Sequence, residues 1–233
     1  MQSQEKFLKD VYMPLTQRTA QILQKKQIEL AKIKWTDGES NTDSEFSRLA
    51  CDSCEEAWND IKEGYPDFKD LPLEFQIPDI NIILSKDGKP LAVGKIELKS
   101  SKGNGIIPGS TIGKLDINQP VIFCLRDESA GTFEFRYSQY HNCIGESNTD
   151  TFQDRKPRPH VNFQKMTDIN SNHVYIYKEK GNWVEHYAKC ALLRTKEHKR
   201  YKSWQDTLTA RIIELFIKET SIEDFAKRKL ELL

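Results

Sequence analysis

Hydrophobic residues in the first third of the chain recur at the spacing of an α-helix. Pro14 suits the first turn of such a helix, because its ring fixes a helical φ angle and that turn leaves its N–H groups without helical partners. The apolar positions that follow are Ile22, Leu23, Ile28, Ala31 and Ile33. Turn-forming residues at 36–42 then interrupt the pattern. We therefore expect the N-terminal third to be helical, with a connection at 36–42.

A second amphipathic helix is predicted after that connection. Its apolar positions keep a three-four spacing that places them on one stripe: Phe46, Leu49, Ala50, Cys54, Ala57, Trp58 and Ile61. Asp43 or Ser44 is available as the N-cap, because a side-chain oxygen there accepts from a free amide of the first turn. The turn-rich residues 64–67 end the helix.

From about residue 76 the pattern changes from helical to extended. Short apolar, β-branched or alternating runs predict strands at 80–84, 91–98, 121–125, 132–137 and 174–177. Residues 86–89 form a strong hairpin turn between the first two strands. Two segments without a periodic pattern are interpreted as loops, namely 100–113 and 141–172.

The order of helices, a run of strands and then two or three further helices is typical of one α/β or α+β domain. We interpret residues 1–233 as a single domain with a mixed central β-sheet of about five strands. An N-terminal helical layer and a C-terminal helical layer, at about 183–233, are expected to flank the sheet. A chain of 233 residues buries about 70–75% of its unfolded surface, so its core requires no disulfide or metal.

The composition excludes several classes of protein. Eleven Phe, eight Tyr and four Trp residues, with zero net charge, are atypical of a disordered chain. No window approaches the roughly 18 apolar residues of a membrane span, so no membrane partner is expected. The first residues lack the apolar stretch of a signal peptide, and five cysteines fit reduced, buried thiols. We therefore expect a cytoplasmic protein.

Charge is segregated along the chain, although 35 basic and 35 acidic residues balance overall. Residues 37–74 hold twelve acidic and three basic residues, whereas residues 189–202 hold six basic residues and one acidic residue. A second basic cluster comprises Arg155, Lys156 and Arg158. Such patches contact phosphates in nucleic-acid-binding proteins, and they equally occur as solvated faces. Charge alone therefore leaves nucleic-acid binding open.

Two acidic residues and a lysine converge at one end of the predicted hairpin. Asp79 precedes the first strand, whereas Glu97 and Lys99 end the second. Antiparallel pairing brings the start of one strand beside the end of the next, so Asp79 and Glu97 are expected nearly opposite each other. Glu97 and Lys99 are two residues apart and project from the same face. Two carboxylates with room for water and phosphate oxygens suit Mg²⁺, and Lys99 would orient or deprotonate the attacking water.

This arrangement resembles the PD-(D/E)xK nuclease superfamily, and within it the type II restriction endonucleases. The matching residues are Pro78, Asp79, Glu97 and Lys99, with seventeen residues between Asp79 and Glu97. The resemblance is specific over about residues 76–103, and elsewhere only the order of elements fits. It implies a restriction-endonuclease-like mixed β-sheet flanked by helices. It also implies Mg²⁺-dependent hydrolysis of double-stranded DNA at a short specific sequence, carried out by a homodimer.

The resemblance assigns roles to individual residues. Asp79 and Glu97 would hold Mg²⁺ together with the Leu98 carbonyl, and Lys99 would position the attacking water. The family often adds a carboxylate from the preceding helix.

Glu45, in the first turn of the second amphipathic helix, is the candidate for this additional carboxylate, and Glu55 is the rival. A solvated or capping role fits Glu45 equally well, since it lies away from the apolar stripe of its helix.

Polar residues near the hairpin and further along the chain are candidates for contacts with DNA. Small and polar side chains allow a phosphate to approach the backbone, while Gln and Arg read base edges in the major groove. The candidates are Ser100, Ser101, Lys102, Asn104, Gln139, Arg155, Lys156 and Arg158. Each of them singly also fits a structural or solvated role.

Other motifs indicate no further cofactor. The glycines at 103–113 lack the Gly-Lys-Ser/Thr ending of a Walker loop, so no nucleotide cofactor is expected. Cys51 and Cys54 form a C-x-x-C pair, but no second pair follows at the spacing of a zinc site.

Three alternatives to a restriction endonuclease remain. A structure-specific or repair nuclease of the same fold would use the same residues on branched, nicked or single-stranded DNA. A non-catalytic DNA-binding protein would bind DNA without cleaving it, and a small-molecule hydrolase would have no affinity for DNA.

Overall fold

The computed structural model describes residues 2–35, 45–86, 88–103, 105–109, 116–127, 129–144, 160–172 and 175, together with 210–211 and 214–215. The helices of this part are α1 (Gln2–Asp10), α2 (Tyr12–Lys25), α3 (Gln27–Lys32), α4 (Glu45–Ile61) and α5 (Tyr140–Cys143). The strands are β1 (Leu73–Gln76), β2 (Ile80–Lys86), β3 (Lys89–Lys102), β4 (Ile106–Pro108), β5 (Pro120–Asp127), β6 (Thr132–Gln139), β7 (His160–Asn162) and β8 (Thr167–Asp168).

The N-terminal helices form where the apolar spacing predicts them. Pro14 lies in the first turn of α2, and α4 ends shortly before the predicted stop at 64–67. Thr16 and Thr19 are buried within α2, and each hydroxyl donates a 2.8 Å hydrogen bond to the backbone carbonyl four residues earlier. These bonds satisfy two buried polar groups without help from another element, so α2 can pack closely against the sheet.

The central sheet has the strand order β1-β2-β3-β5-β6-β8. Every neighbouring pair is antiparallel except β3 and β5, which run parallel. Strands β4 and β7 form a separate antiparallel pair. The predicted mixed α/β architecture, with a central sheet flanked by helices, is confirmed at this level, and the sheet is mostly antiparallel.

The sheet separates two hydrophobic cores. The larger core joins the even-numbered residues of β3, such as Ile96 and Leu98, to the helices α1, α2 and α4. The smaller core lies on the opposite face, where Val121 and Phe123 of β5 pack against α5 and the segment around Phe163. Because alternate residues of a strand face opposite sides, the odd-numbered residues of β3 point toward this second face.

Close packing of α2 against β3 fixes the hairpin next to the helical layer. The ring of Tyr12 lies over Gly94, where an added Cβ would stand 2.9 Å from the ring carbon Cζ. The Tyr12 hydroxyl accepts a hydrogen bond from the backbone N–H of Lys95. This contact anchors β3 two residues before Glu97.

Two predictions about loops are wrong in part. Residues 100–102 continue β3, because they pair with β5, and residues 106–108 form β4. The segment 141–172 contains the end of α5, the short strands β7 and β8, and a 3-10 helix at Phe163–Lys165. Strand β1 was not predicted, since its residues alternate only between half-buried and exposed positions at the sheet edge.

Some predictions concern residues that the structure describes little or not at all. Of the predicted strand 174–177 only Tyr175 is described. Of the predicted C-terminal helical layer only 210–211 and 214–215 are described, and these residues are helical. The interpretation of residues 1–233 as one domain stays a prediction.

The described cysteines are buried and free, as the composition predicts: Cys51, Cys54, Cys124 and Cys143. Among the described helices, none combines the length and the apolar character needed to cross a membrane.

Candidate functional site

The register of the β2–β3 hairpin aligns Asp79 with Glu97. Ile80 pairs with Ile96, and the pairing continues toward the turn without a shift as far as Leu84. Asp79 immediately precedes Ile80, and Glu97 immediately follows Ile96. The two acidic residues therefore lie opposite each other at the open end of the hairpin.

The backbone of Asp79 has an unusual conformation. Its φ angle is 57°, and within the described chain it is the single non-glycine residue with a positive φ. This left-handed conformation costs an L-residue on the order of 1 kcal/mol, and Asp tolerates it better than most because its short side chain can hydrogen-bond locally. Backbone strain of this kind is concentrated at functional sites. The conformation therefore marks Asp79 as a position of interest independently of the motif.

The Asp79 carboxylate is turned toward β3. Its Oδ1 atom accepts a 3.0 Å hydrogen bond from the backbone N–H of Leu98, and its Oδ2 atom lies 2.8 Å from Nζ of Lys95. Burial by itself would lower the pKa of Lys95, but the hydrogen bond and the negative charge of Asp79, with a contribution from Glu97, raise the pKa overall. Lys95 is therefore a protonated ammonium beside the Asp79 carboxylate.

Glu97 is a buried carboxylate, with 1% of its side chain exposed. Its Oε1 atom forms an ion pair with Nζ of Lys99, and its Oε2 atom accepts a 3.2 Å hydrogen bond from Nε2 of Gln119. A charge removed from water is tolerated only when it is paired and hydrogen-bonded, and both oxygens of Glu97 meet that condition. The carboxylate is thus held in one orientation.

Gln119 is itself held in place by the backbone around it. Its N–H donates to the Asp116 carbonyl and its carbonyl accepts from the N–H of Tyr140, both at 3.0 Å. Tyr140 is the first residue of helix α5, and the charges of Glu97 and Lys99 act on the pKa of the buried Cys143 at its end. Burial raises the pKa of the Cys143 thiol, with the charge of Glu97 adding to the shift and that of Lys99 opposing it. Helix α5 and the residues before β5 therefore form one wall of the site.

The oxygen donors at this strand end suit a hard cation. In an extended strand the N–H and C=O of one residue point to the same side, so the Leu98 carbonyl faces the same edge as its N–H and the Asp79 carboxylate. Within the described ranges, no group of three or more His, Cys, Asp or Glu residues is placed to hold a metal ion. Mg²⁺ commonly takes only one or two carboxylates and completes its shell with water and phosphate oxygens. The ammonium groups that already neutralise Asp79 and Glu97 indicate that these oxygens attract cations.

The structure does not bring Glu45 to Asp79. The Oε2 atom of Glu45 accepts a 3.2 Å hydrogen bond from the backbone N–H of Lys34. The α4 residue that contacts Asp79 is Cys51, whose Sγ donates to the Asp79 carbonyl at 3.5 Å. Cys51 lies six positions after Glu45, which is about 9 Å along a helix axis. The rival, Glu55, lies one turn beyond Cys51 and is exposed.

The residues that follow Lys99 lie on a strand and not in the expected loop. Ser100, Ser101 and Lys102 pair with β5, with the two serines half-buried and the lysine exposed. Gln139 ends β6 with 2% exposure, so a base edge cannot reach its amide in this arrangement. The remaining candidates for DNA contact lie outside the described residues: Asn104, Arg155, Lys156 and Arg158.

Two residues of the site were missed in the sequence analysis. Lys95 precedes Glu97 by two residues, and its alternation with Glu97 and Lys99 on one strand face was a signal that pointed to it. Gln119 belongs to no motif and approaches Glu97 only because β5 pairs with β3. Its role could not be read from local sequence.

No protein-family model matches the chain, and no curated protein matches it either. The functional interpretation of the molecule therefore depends on the hairpin residues themselves.

Proposed function

We propose that the chain is a Mg²⁺-dependent endonuclease that hydrolyses phosphodiester bonds of double-stranded DNA at a short specific sequence, in the manner of a type II restriction endonuclease. The observation that carries the proposal is the alignment of Asp79 with Glu97, with Lys99 on the same strand face as Glu97. These residues keep the order and spacing of the PD-(D/E)xK motif. A mixed sheet flanked by helices is compatible with a restriction-endonuclease-like fold.

In this proposal, Asp79, Glu97 and the Leu98 carbonyl hold Mg²⁺. The bond from the Leu98 N–H keeps one oxygen of Asp79 directed toward β3. The bond from Gln119 keeps Glu97 in a fixed orientation. When bound, Mg²⁺ supplies positive charge beside the phosphodiester and lowers the pKa of a coordinated water.

Lys99 has the role of orienting the attacking water and stabilising charge on the phosphate. Its side chain is 19% exposed and is paired with the buried Glu97. That pairing holds the ammonium at the site before a substrate arrives, so little reorganisation is needed during the reaction.

A homodimer follows from the proposed reaction. One active site cuts one strand of a duplex, and two sites related by a two-fold axis cut both strands at a palindromic sequence. The proposed setting is the cytoplasm, and the proposed partner is duplex DNA.

The test is incubation of the purified protein with a long duplex DNA of known sequence, with Mg²⁺ or with EDTA, followed by gel electrophoresis. Discrete fragments that depend on Mg²⁺ support a sequence-specific endonuclease. A smear, or cleavage confined to branched or nicked DNA, supports a structure-specific or repair nuclease instead.

Intact DNA that is nevertheless bound by the protein favours a non-catalytic DNA-binding protein. Intact DNA without any binding favours a small-molecule hydrolase. Both outcomes contradict the proposal.

A further inference from the structure

Lys95 occupies a special position relative to the two carboxylates. It shares one face of β3 with Glu97 and Lys99, so charges alternate at two-residue intervals along that face. Its ammonium lies 2.8 Å from Oδ2 of Asp79. The negative charge of Glu97 also contributes to the raised pKa of Lys95.

The backbone of Lys95 is held in place, whereas its side chain is partly exposed to solvent. Its N–H donates to the buried Tyr12 hydroxyl, and the neighbouring Gly94 is covered by the Tyr12 ring. The side chain is 41% exposed, and its four-carbon stem has several rotatable bonds. The ammonium can therefore exchange one partner for another without any displacement of the strand.

The two oxygens of Asp79 have different partners. Oδ1 accepts from the backbone of Leu98, whereas the contact described for Oδ2 is with the side chain of Lys95. A divalent cation at Oδ2 would repel the ammonium, since two positive charges a few ångströms apart interact unfavourably. A cation at Oδ2 of Asp79 therefore competes with the Lys95 ammonium.

We propose that Lys95 is a positioning residue that neutralises Asp79 when Mg²⁺ is absent and moves to a DNA phosphate when Mg²⁺ takes its place. This inference rests on the proposed function. It makes Lys95 a competitor of Mg²⁺ in the free protein and a contributor to DNA binding once Mg²⁺ is present. Metal binding and DNA binding then favour each other, and this coupling is reciprocal.

The experiment measures Mg²⁺ binding to the full-length protein without DNA, by isothermal titration calorimetry. Replacing Lys95 by methionine (Lys95→Met) keeps most of the aliphatic stem and removes the charge. This variant lacks the ammonium that competes with Mg²⁺ for the Asp79 carboxylate. Because the lost ion pair is half-exposed and therefore weak, the Kd for Mg²⁺ is expected to fall by about two- to fivefold. Lys95→Arg keeps the charge and is expected to bind Mg²⁺ as the wild type does.

A second readout is DNA affinity in Ca²⁺, which permits binding to be measured without relying on turnover. Lys95→Met is expected to weaken duplex binding and to reduce the slope of log K against log salt by about one unit, the signature of one lost phosphate contact. Lys89→Met is the matched control, because Lys89 is an exposed lysine at the other end of the same strand. It is expected to change neither quantity.

An unchanged or weaker Mg²⁺ affinity in Lys95→Met overturns the inference. The proposed metal site survives that result if Asp79→Asn abolishes the Mg²⁺ binding of the wild type. Failure of the wild type to bind Mg²⁺ overturns both the inference and the proposed metal site. Lys95→Gln provides the same comparison if the methionine variant does not fold.

Discussion

The Leu98 backbone amide donates a 3.0 Å hydrogen bond to the Asp79 carboxylate across the open end of the β2–β3 hairpin. The bond takes the place of a ladder hydrogen bond beyond the last paired residues, Ile80 and Ile96. It connects Asp79, which has the left-handed backbone, to Leu98, which lies between Glu97 and Lys99. The two halves of the proposed motif are thus joined directly.

The first prediction separates the structural role of Asp79 from its chemical role. Asp79→Asn keeps an oxygen acceptor for the Leu98 N–H and a side chain that tolerates the left-handed conformation. We expect its free energy of unfolding to lie within about 1 kcal/mol of the wild type, while Mg²⁺ binding is lost. Asp79→Ala loses the acceptor as well and is expected to cost about 1–3 kcal/mol.

Urea unfolding and calorimetric Mg²⁺ titration of both variants provide the measurements. Equal destabilisation by both substitutions would contradict the structural role of the Asp79 oxygen. An unaltered Mg²⁺ titration in Asp79→Asn would remove Asp79 from the metal site.

A second prediction concerns the contact that anchors β3 to the helical layer. Gly94→Ala places a Cβ about 2.9 Å from the Tyr12 ring, closer than such contacts occur, so the ring, the helix or the strand must shift. We expect a destabilisation of about 1–3 kcal/mol in urea unfolding. Gly64→Ala is the control, because no atom lies within 4 Å of the added Cβ there. Equal stability of the two variants would show that Tyr12 does not pack against Gly94.

The third prediction tests whether Gln119 positions Glu97. Gln119→Leu removes the amide that donates to Oε2 of a buried carboxylate. We expect Mg²⁺ affinity to fall by about 10- to 100-fold, as is common when a residue that orients a metal ligand is lost. Gln76→Leu, at an exposed position of the edge strand β1, is the control. If Gln119→Leu binds Mg²⁺ as tightly as the wild type, Gln119 does not position Glu97 and contributes only to packing.

The fourth prediction concerns acid stability at the turn between β5 and β6. The Ser129 hydroxyl and the Ala130 amide donate to Asp127 and hold the pKa of its carboxyl below the usual 3.8. A lowered folded-state pKa means that this stabilisation is present above the unfolded pKa of Asp and is lost as the pH falls through the folded pKa. An NMR titration of Asp127 is expected to give a midpoint below 3.8. Ser129→Ala is expected to move it upward, and an unmoved midpoint would contradict the hydrogen bond.

The parts of the fold that sequence predicts are those with a strong hydrophobic period. The spacing from Phe46 to Ile61 places one face of α4 in the core, and the helix forms there. The turn at 86–89 and its flanking apolar runs predict the β2–β3 hairpin, whose register follows from which face is buried. Strand β1 has no such signal, because an edge strand buries neither face fully.

The candidate site was predictable only where its residues belong to the hairpin. Asp79, Glu97 and Lys99 are close together because of local pairing, which a turn and two apolar runs indicate. Gln119 reaches Glu97 because β3 pairs in parallel with β5. A contact between residues so far apart in the chain produces no periodic pattern in the sequence. The left-handed backbone of Asp79 was likewise not predicted from the sequence.

Cleavage of a long duplex DNA by wild-type protein and by Lys99→Ala, with Lys89→Ala as the control, tests the central claim most directly. The rates are measured in Mg²⁺ and in EDTA, with DNA binding followed in parallel. We predict Mg²⁺-dependent cleavage by the wild type and the control. Lys99→Ala is expected to lose cleavage while it still folds and binds DNA, although with lower stability because the buried Glu97 loses its ion-pair partner. Equal cleavage by Lys99→Ala and the wild type, or cleavage that persists in EDTA, would contradict the assignment of this strand end as a nuclease site.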